Sequence, residues 1–463
     1  MGSPTLRLAV RDLSRHAGTW AGAALVAGVV AFFITLEAQF LLDVAHAPVE
    51  VFTASGSQGT RDDYLTLGAN LLIFSGIPAV IVLAFVLGNV ATQTAESHSL
   101  WRLGGASPRQ VTHIVVVQAV VVSMIGTAAG TAGAYPLVGT TSEWVLRFGR
   151  DGSLSMPTAD ALWLPLVTVA VLAVIAVLAA VLPAARAAHL SPVAVREQSA
   201  PSRPSQAYAV ACAVVFVVFV LPLPVSLVAV PQVENPILAV IVTLPLGQAA
   251  VLTLAMLSPW LLSAFVRAWT GVVSLAGWTP WQVARHLAVA RIASSVASIT
   301  PLMLGIGLLG SLSIVTATTV SLAEDLGGDV NTFETLVLMA PTAVIAAVGS
   351  VAVVIMSSRQ RAVDVATLRA ATATRRDTNL ILACESFIGT TSALLYALIP
   401  IGLQAGAVLF ALRVYDLSPG ELRADVVPPL AVLVVGAVGS FVALLWTGQA
   451  AWRRPMIAVL GDR

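Results

Sequence analysis

Arginines set among small and apolar residues occur twice in this chain with the same spacing. The first stretch reads LWRLGGASPRQV, from Leu100 to Val111, and the second reads TLRAATATRRDT, from Thr367 to Thr378. Trp101 and Leu368 are 267 positions apart (368 − 101), and the same offset relates Arg102 to Arg369, Arg109 to Arg376 and Gln118 to Glu385. Residues seven apart on a helix lie about two turns apart on one face. Arg102 and Arg109 are therefore expected to share a face, as are Arg369 and Arg376, and each face is suited to carboxylates on a partner. Leu100, Leu103 and Ala106 are expected to anchor the opposite face to the flanking apolar runs. Gly104–Gly105 and Ala370–Ala371 are read as points of close backbone approach. Trp101, Leu368, Ala373, Arg375 and Arg376 complete the candidate set. A duplicated polar hairpin between apolar runs reads as a docking element. The competing reading is topological, because arginines in any inner loop help set membrane orientation.

Three polar residues fall inside apolar runs. Glu37 is expected about five residues from the outer end of its run by the rise per residue. There it would line an outer vestibule facing a cationic group, reach the interface, or pair with an outer arginine. Gln118 and Glu385 lie near the inner starts of theirs, where the helix dipole favours a carboxylate. Two acids without a buried arginine or histidine chain make a poor proton relay, which argues against an ion-coupled carrier. All 24 basic residues are arginine. A P-loop needs a lysine for the terminal phosphates, so no nucleotide-hydrolysing site is expected. The histidines show no ligand spacing and no HExxH occurs, so neither a metal site nor a catalytic residue is expected. Cys212 and Cys384 both sit in apolar segments and do not read as a disulfide pair.

The elements that position these residues are set by composition. Hydrophobic residues make up 58% of the 463, charged residues 10%, and the mean hydropathy is +0.92. Soluble domains carry about a quarter of their residues as charges, so the chain reads as an all-α integral membrane protein. The net charge of +1, spread over short loops, gives no basis for a nucleic-acid partner. A span takes about 20 apolar residues. Ten are predicted, at 18–42, 66–91, 111–138, 159–182, 207–230, 236–266, 288–320, 332–356, 379–411 and 426–451. Prolines at 222, 224, 231, 236, 245 and 259 interrupt the fifth and sixth. Arginine placement predicts both termini inside, with only Arg61, Arg147, Arg150, Arg413 and Arg423 outside. Asp43, Glu50, Asp62, Asp63, Glu324, Asp325, Asp329 and Glu334 are assigned to outer loops. Gly126, Gly130 and Ala134, and again Gly305 and Leu309 to Ser313, form stripes that let helices pack closely.

The duplication extends beyond the hairpins. Before the first span, Leu6, Val10 and Leu13 form an apolar stripe with Arg7 and Arg11 opposite, an interfacial helix. WQVARHLAVAR repeats that pattern before the seventh span, with Arg285 matching Arg11. LPAARAAHLSPVAVRE follows the fourth span and AAWRRPMIAVLGD the tenth. Both halves start inside, so the repeat is parallel. It divides the chain into a first repeat (1–196), a linker with spans five and six (197–277) and a second repeat (278–463).

These residues resemble a family. Ala95 to Gly133, with its double in Ala362 to Gly402, is similar to the FtsX-like permeases, membrane subunits of MacB-type, mechanotransmitting ABC transporters. Leu100, Arg102, Gly104, Gly105, Ala106, Ser107 and Arg109 fit the family hairpin once. Leu368, Arg369, Ala370, Ala373, Thr374, Arg375 and Arg376 fit it again. Glu385 matches the acid that follows, where the first copy has Gln118, and His189 to Arg196 matches the exit motif, which is degraded at Arg453 to Leu460. Related permeases usually carry a large extracytoplasmic domain, whereas the loops here, near 43–65 and 321–331, are too short to fold alone. The resemblance implies two four-helix repeats joined by two linking helices. It also implies two copies of a cytosolic ABC ATPase docked on the hairpins, with ATP and Mg bound by that partner and no cofactor in this chain. The expected activity is ATP-driven export or extraction of an amphipathic substrate (an antimicrobial peptide, a lipopeptide or a lipid-like molecule) from the bacterial cytoplasmic membrane. The alternative is a signal relay, the same motion activating a cell-wall hydrolase, a sensor or another small extracytoplasmic or membrane partner.

Overall fold

The computed structural model describes residues 12–14, 16–48, 61–94, 101–147, 163–189, 228–233, 235–273, 278–290, 292–325 and 333–453. All regular structure among them is helical. Eight helices are long and apolar enough to cross a membrane, and a ninth results if the bent pair Ala340–Met356 and Gln360–Ala370 is one span. These cover nine of the ten predicted spans. Of 207–230 only the last three residues are described, and Leu100, the interfacial helix at Leu6 to Arg11 and most of both exit motifs also lie outside the described residues. The described residues divide into two compact units, 1–195 with 331–345, and 196–330 with 346–463.

The first unit holds α1 (Ala17–His46), α2 (Arg61–Gln93) and α3 (Pro108–Ala134). A 3₁₀ turn at Tyr135–Leu137 carries α3 into α4 (Val138–Arg147), and α5 (Leu164–His189) follows. α1 packs on α2 and α3, and both of these pack on α5. The closest approach is between α1 and α3. A Cβ placed on Gly126 or Gly130 would strike the backbone carbonyls of Ala24 and Gly28, and one on Gly28 would stand 3.0 Å from the Gly126 carbonyl oxygen. The predicted small-residue stripe thus brings two backbones together, a packing mode suited to lipid, where apolar burial alone does not drive helices together.

α1 runs further out than its hydropathy indicates. Asp43, assigned from sequence to an outer loop, lies within the helix and is fully buried. Its carboxylate accepts from Gln39 Nε2 at 2.8 Å and from Ser142 Oγ, on α4, at 2.9 Å. Two donors offset much of the cost of burying it. Around it, Phe40, Val44, Tyr64, Leu71 and Val337 form an apolar cluster. Asp62, Asp63, Glu324 and Asp325 are likewise helical rather than looped.

The second unit holds α6 (Pro236–Val242), α7 (Leu244–Val272), α8 (Thr279–Ala290) and α9 (Ile292–Asp325). It continues with α10 (Phe333–Met356, from residue 346), α11 (Ser358–Ala370), α12 (Arg375–Val414) and α13 (Val427–Trp452). α9 is its axis, since 94% of its most apolar window is buried, with α7, α12 and α13 packed on it. The Gln404 carboxamide on α12 accepts from the Gly247 N–H at 2.8 Å and donates to the Thr243 hydroxyl at 2.9 Å. This ties the start of α7 where Pro245 removes a backbone donor. α8, which carries Arg285, buries Trp281, Ala284 and Ala288 at helical spacing, and Arg285 Nε donates to the Thr270 hydroxyl at 3.2 Å.

The 267-residue offset holds well beyond the hairpins. Ala79 and Ala346, Val86 and Val353, Ala176 and Ala443, and Ala184 and Ala451 are buried in both copies. From Ala79 to Ala184 and from Ala346 to Ala451 the two halves therefore keep one register with no net insertion.

Candidate functional site

The two hairpins are built alike at the level of single hydrogen bonds. In the first, Trp101 to Leu103 are helical. The Ala106 N–H then donates to the Trp101 carbonyl at 3.0 Å, and the Gly105 N–H to the Arg102 carbonyl at 3.0 Å. In the second, the Ala373 N–H donates to the Leu368 carbonyl and the Thr372 N–H to the Arg369 carbonyl, both at 3.0 Å. This bond pair is the Schellman ending, which needs a left-handed residue just past the helix. Gly105 fills that position with φ of 92° and Thr372 with φ of 66°. The next helix opens with the same cap. The Gln110 N–H donates to Ser107 Oγ at 3.3 Å and the Ser107 N–H returns to Gln110 Oε1 at 2.9 Å. The Asp377 N–H donates to Thr374 Oγ1 at 3.2 Å and the Thr374 N–H returns to Asp377 Oδ2 at 3.0 Å. Both are reciprocal capping boxes, satisfying two end donors at once.

Solvent exposure repeats in step. Trp101 and Leu368 are half-buried, as are Arg102 and Arg369 and, beyond the turn, Ala106 and Ala373. Leu103, Gly104 and Gly105 are exposed, like Ala370, Ala371 and Thr372. Arg109, Arg375 and Arg376 are exposed on the first turn of the following helix.

Three expectations are corrected here. Arg102 and Arg109 do not share one helical face, and neither do Arg369 and Arg376, because a helix ends and another begins between them. Leu103 does not anchor the hairpin, being 69% exposed. Gly105 serves its positive φ rather than a close approach, since nothing lies within 4 Å of a Cβ added there. Its counterpart is Thr372, not Ala371, and a threonine gives no sequence signal for a left-handed position.

The second hairpin is fastened to the last span. The Arg369 guanidinium lies 4.6 Å from the Trp452 ring centroid, and Arg375 lies 5.4 Å from the same ring. Arg369 Nη1 also donates to the Trp452 carbonyl at 3.4 Å. Below, Ala362, Val365 and Ala451 form a small buried cluster with Trp452 packed against it. Under the first hairpin, Ala91, Val115 and Ala184 do the same with Val116. α10 and α11 diverge by 52°, so α11 leaves the line of the span. Sequence reading missed Trp452, because an aromatic at the end of a span reads as an interfacial anchor.

The polar residues within spans differ most from expectation. Among the described residues, Glu37 is turned into the bundle and meets no arginine. It is 5% exposed and accepts a hydrogen bond from the Ser75 hydroxyl. Gln118 is buried and its Nε2 donates to Asp12 Oδ2 at 3.2 Å, while His16 Nδ1 stands 3.2 Å from Asp12 Oδ1. Glu385 lies past the first turn of α12, beyond the reach of the helix-end dipole. Its Oε1 is 3.9 Å from Arg361 Nε. Arg361, counted from sequence among the inner-loop arginines, is 7% exposed, and its Nη1 donates to the Val354 carbonyl at 2.5 Å. A buried arginine is therefore present, contrary to expectation. α11 looks too polar to bury one, and only its packing on α13 and the contact with Glu385 reveal it.

Helices of this length and hydropathy, which satisfy their own backbone groups, define a polytopic all-α protein embedded in a membrane. Residues 71–192 match the family model described as FtsX-like permease C-terminal, and that stretch is similar to FtsX-like permeases. The matched stretch contains the first hairpin, its buried flanks and α5. No curated protein matches the chain significantly.

Proposed function

We propose that this chain is the permease of an ATP-driven transporter and that its two hairpins are the sites on which two copies of a separate ATPase dock. The observation that carries this reading is the pair of identically built turns, matched in hydrogen bonding, capping and exposure at a constant offset. Turns needed only for topology do not require the same caps. The hairpin tips present Leu103 and Arg109 in one copy and Ala370 and Arg376 in the other to solvent. An exposed guanidinium beside a small apolar surface suits an acidic groove. A push on the second hairpin passes through Arg369, Arg375 and Trp452 to α13, and through Arg361 and Glu385 to α12.

The hairpins face the cytosol in this reading, with both termini inside. The three-part division at 196 and 277 follows the repeat. The cargo is an amphipathic molecule loaded from the membrane, since short outer connections such as 47–60 leave no large receptor domain between α1 and α2. Arg109→Glu together with Arg376→Glu is expected to lower ATPase co-purification by about tenfold or more, a loss typical of reversed interface charges. Undiminished ATPase recovery with a monodisperse double variant would refute the docking assignment. ATPase coupling retained without any cargo movement would instead favour the relay, in which the motion activates an outer partner.

A further inference from the structure

The second unit encloses a partly open cavity of about 50 Å³ that the docking reading does not use. That is room for about four waters, or for the charged end of a small headgroup whose remainder extends through the open side. Arg361 and Glu385 both line it, together with Ser298, Ser350, Ser386 and Ser440. Four of its six hydroxyls are directed alike. Ser295 donates to the Ala288 carbonyl, Ser298 to the Ser295 carbonyl, Ser350 to the Ser298 carbonyl and Thr390 to the Ser386 carbonyl. Their protons are committed to backbone, so what they hold in reserve is oxygen lone pairs. With the Glu385 carboxylate they make an acceptor-rich wall suited to N–H donors.

One buried donor stands against that wall. Arg361 Nε has no hydrogen-bond partner, and its nearest acid oxygen, on Glu385, is 3.9 Å away, beyond hydrogen-bond length. A lone cation entering here would meet Arg361, and a lone anion would meet Glu385. A dipolar group satisfies both and leaves the net charge unchanged, which matters where uncompensated charge is costly. We propose that this cavity binds a phosphoethanolamine group, its primary ammonium on Glu385 and the serine oxygens and its phosphate on Arg361 Nε. A primary ammonium donates three N–H bonds and matches the acceptors, whereas a quaternary ammonium donates none. Arginine is well suited to the phosphate. The helices around the cavity read as membrane spans, so an ethanolamine lipid is the nearest source, with soluble phosphoethanolamine the other.

The test is native mass spectrometry of the full chain purified with phosphatidylethanolamine, phosphatidylcholine or phosphatidylglycerol, and separately with soluble O-phosphoethanolamine. The ethanolamine lipid should be retained over the choline lipid by about tenfold, a preference of ordinary size for one buried charged contact. Glu385→Gln and Arg361→Gln should each remove that preference. Because either change could disturb packing, Gly389→Leu serves as the second variant. Gly389 lines the cavity and an added Cβ there meets nothing within 4 Å, so a larger side chain starts into open space. Loss of retention in a well-folded Gly389→Leu supports the site. Competition by soluble O-phosphoethanolamine supports the headgroup as the recognised part, and retention of lipid against it assigns the source to the membrane. Equal retention of choline and ethanolamine lipids, or full retention in Gly389→Leu, overturns the proposal.

Discussion

Gly105 and Thr372 hold the same backbone position with different side chains, and the difference carries an energy. A residue with a Cβ in the left-handed region costs roughly 1–2 kcal/mol relative to glycine. Gly105→Ala should therefore destabilise the first turn by about 1 kcal/mol, and Thr372→Gly should stabilise the second by somewhat less, because glycine also frees the unfolded chain. Denaturant unfolding of both variants in detergent checks the opposite signs. At this scale sequence comparison placed the hairpins but not their inner geometry. The offset aligned Arg102 with Arg369 and Ser107 with Thr374, whereas only backbone dihedrals reveal that threonine takes the glycine's place. Arg361 and Trp452 stayed hidden for a related reason. Their partners, Glu385 and Arg369, are 24 and 83 positions away (385 − 361 and 452 − 369), and no local pattern reports such pairs.

Helices here are held by three devices, namely close backbone approach, polar ties between helices, and caps. The α1–α3 crossing relies on the first. Gly130→Leu should cost about 2–3 kcal/mol, within the range for overpacking where the obstructing atoms are backbone and cannot yield. Gly76→Ala on α2 is the matched control. Its Cβ meets nothing within 4 Å, so the change should stabilise by about 0.5–1 kcal/mol through helix propensity alone. The existence of the spans was legible because hydropathy reports twenty-residue apolar runs directly. Their ends were less so. α1 passes Asp43 to reach His46 because Gln39 and Ser142 satisfy the carboxylate, and the second of these donors comes from α4, 99 residues along. An acid read alone looks like a loop, and an acid with two donors can stay in a helix.

Viewed as a whole chain, the register from Ala79 to Ala184 and again from Ala346 to Ala451 shows that the two hairpins belong to equivalent places in two equivalent stretches. Under the proposed orientation both lie on the cytosolic side. Single cysteines at Gly104 and Ala371, two exposed and matched positions, should react with a membrane-impermeant maleimide in inverted vesicles and stay protected in intact cells. Reaction in intact cells at either position would reverse the topology. Native Cys384 is buried, and both it and Cys212 are replaced by alanine in the labelled variants.

The residue types that hold Trp452 between its two arginines are not repeated in the first half. Subtracting the offset of 267 places Ala185 where Trp452 stands and Pro108 where Arg375 stands. The repeat is thus twofold in outline but lopsided in its linkage. Under the proposed docking, strokes on the two hairpins meet levers of different make, and the second is riveted to its terminal rod by stacked cations.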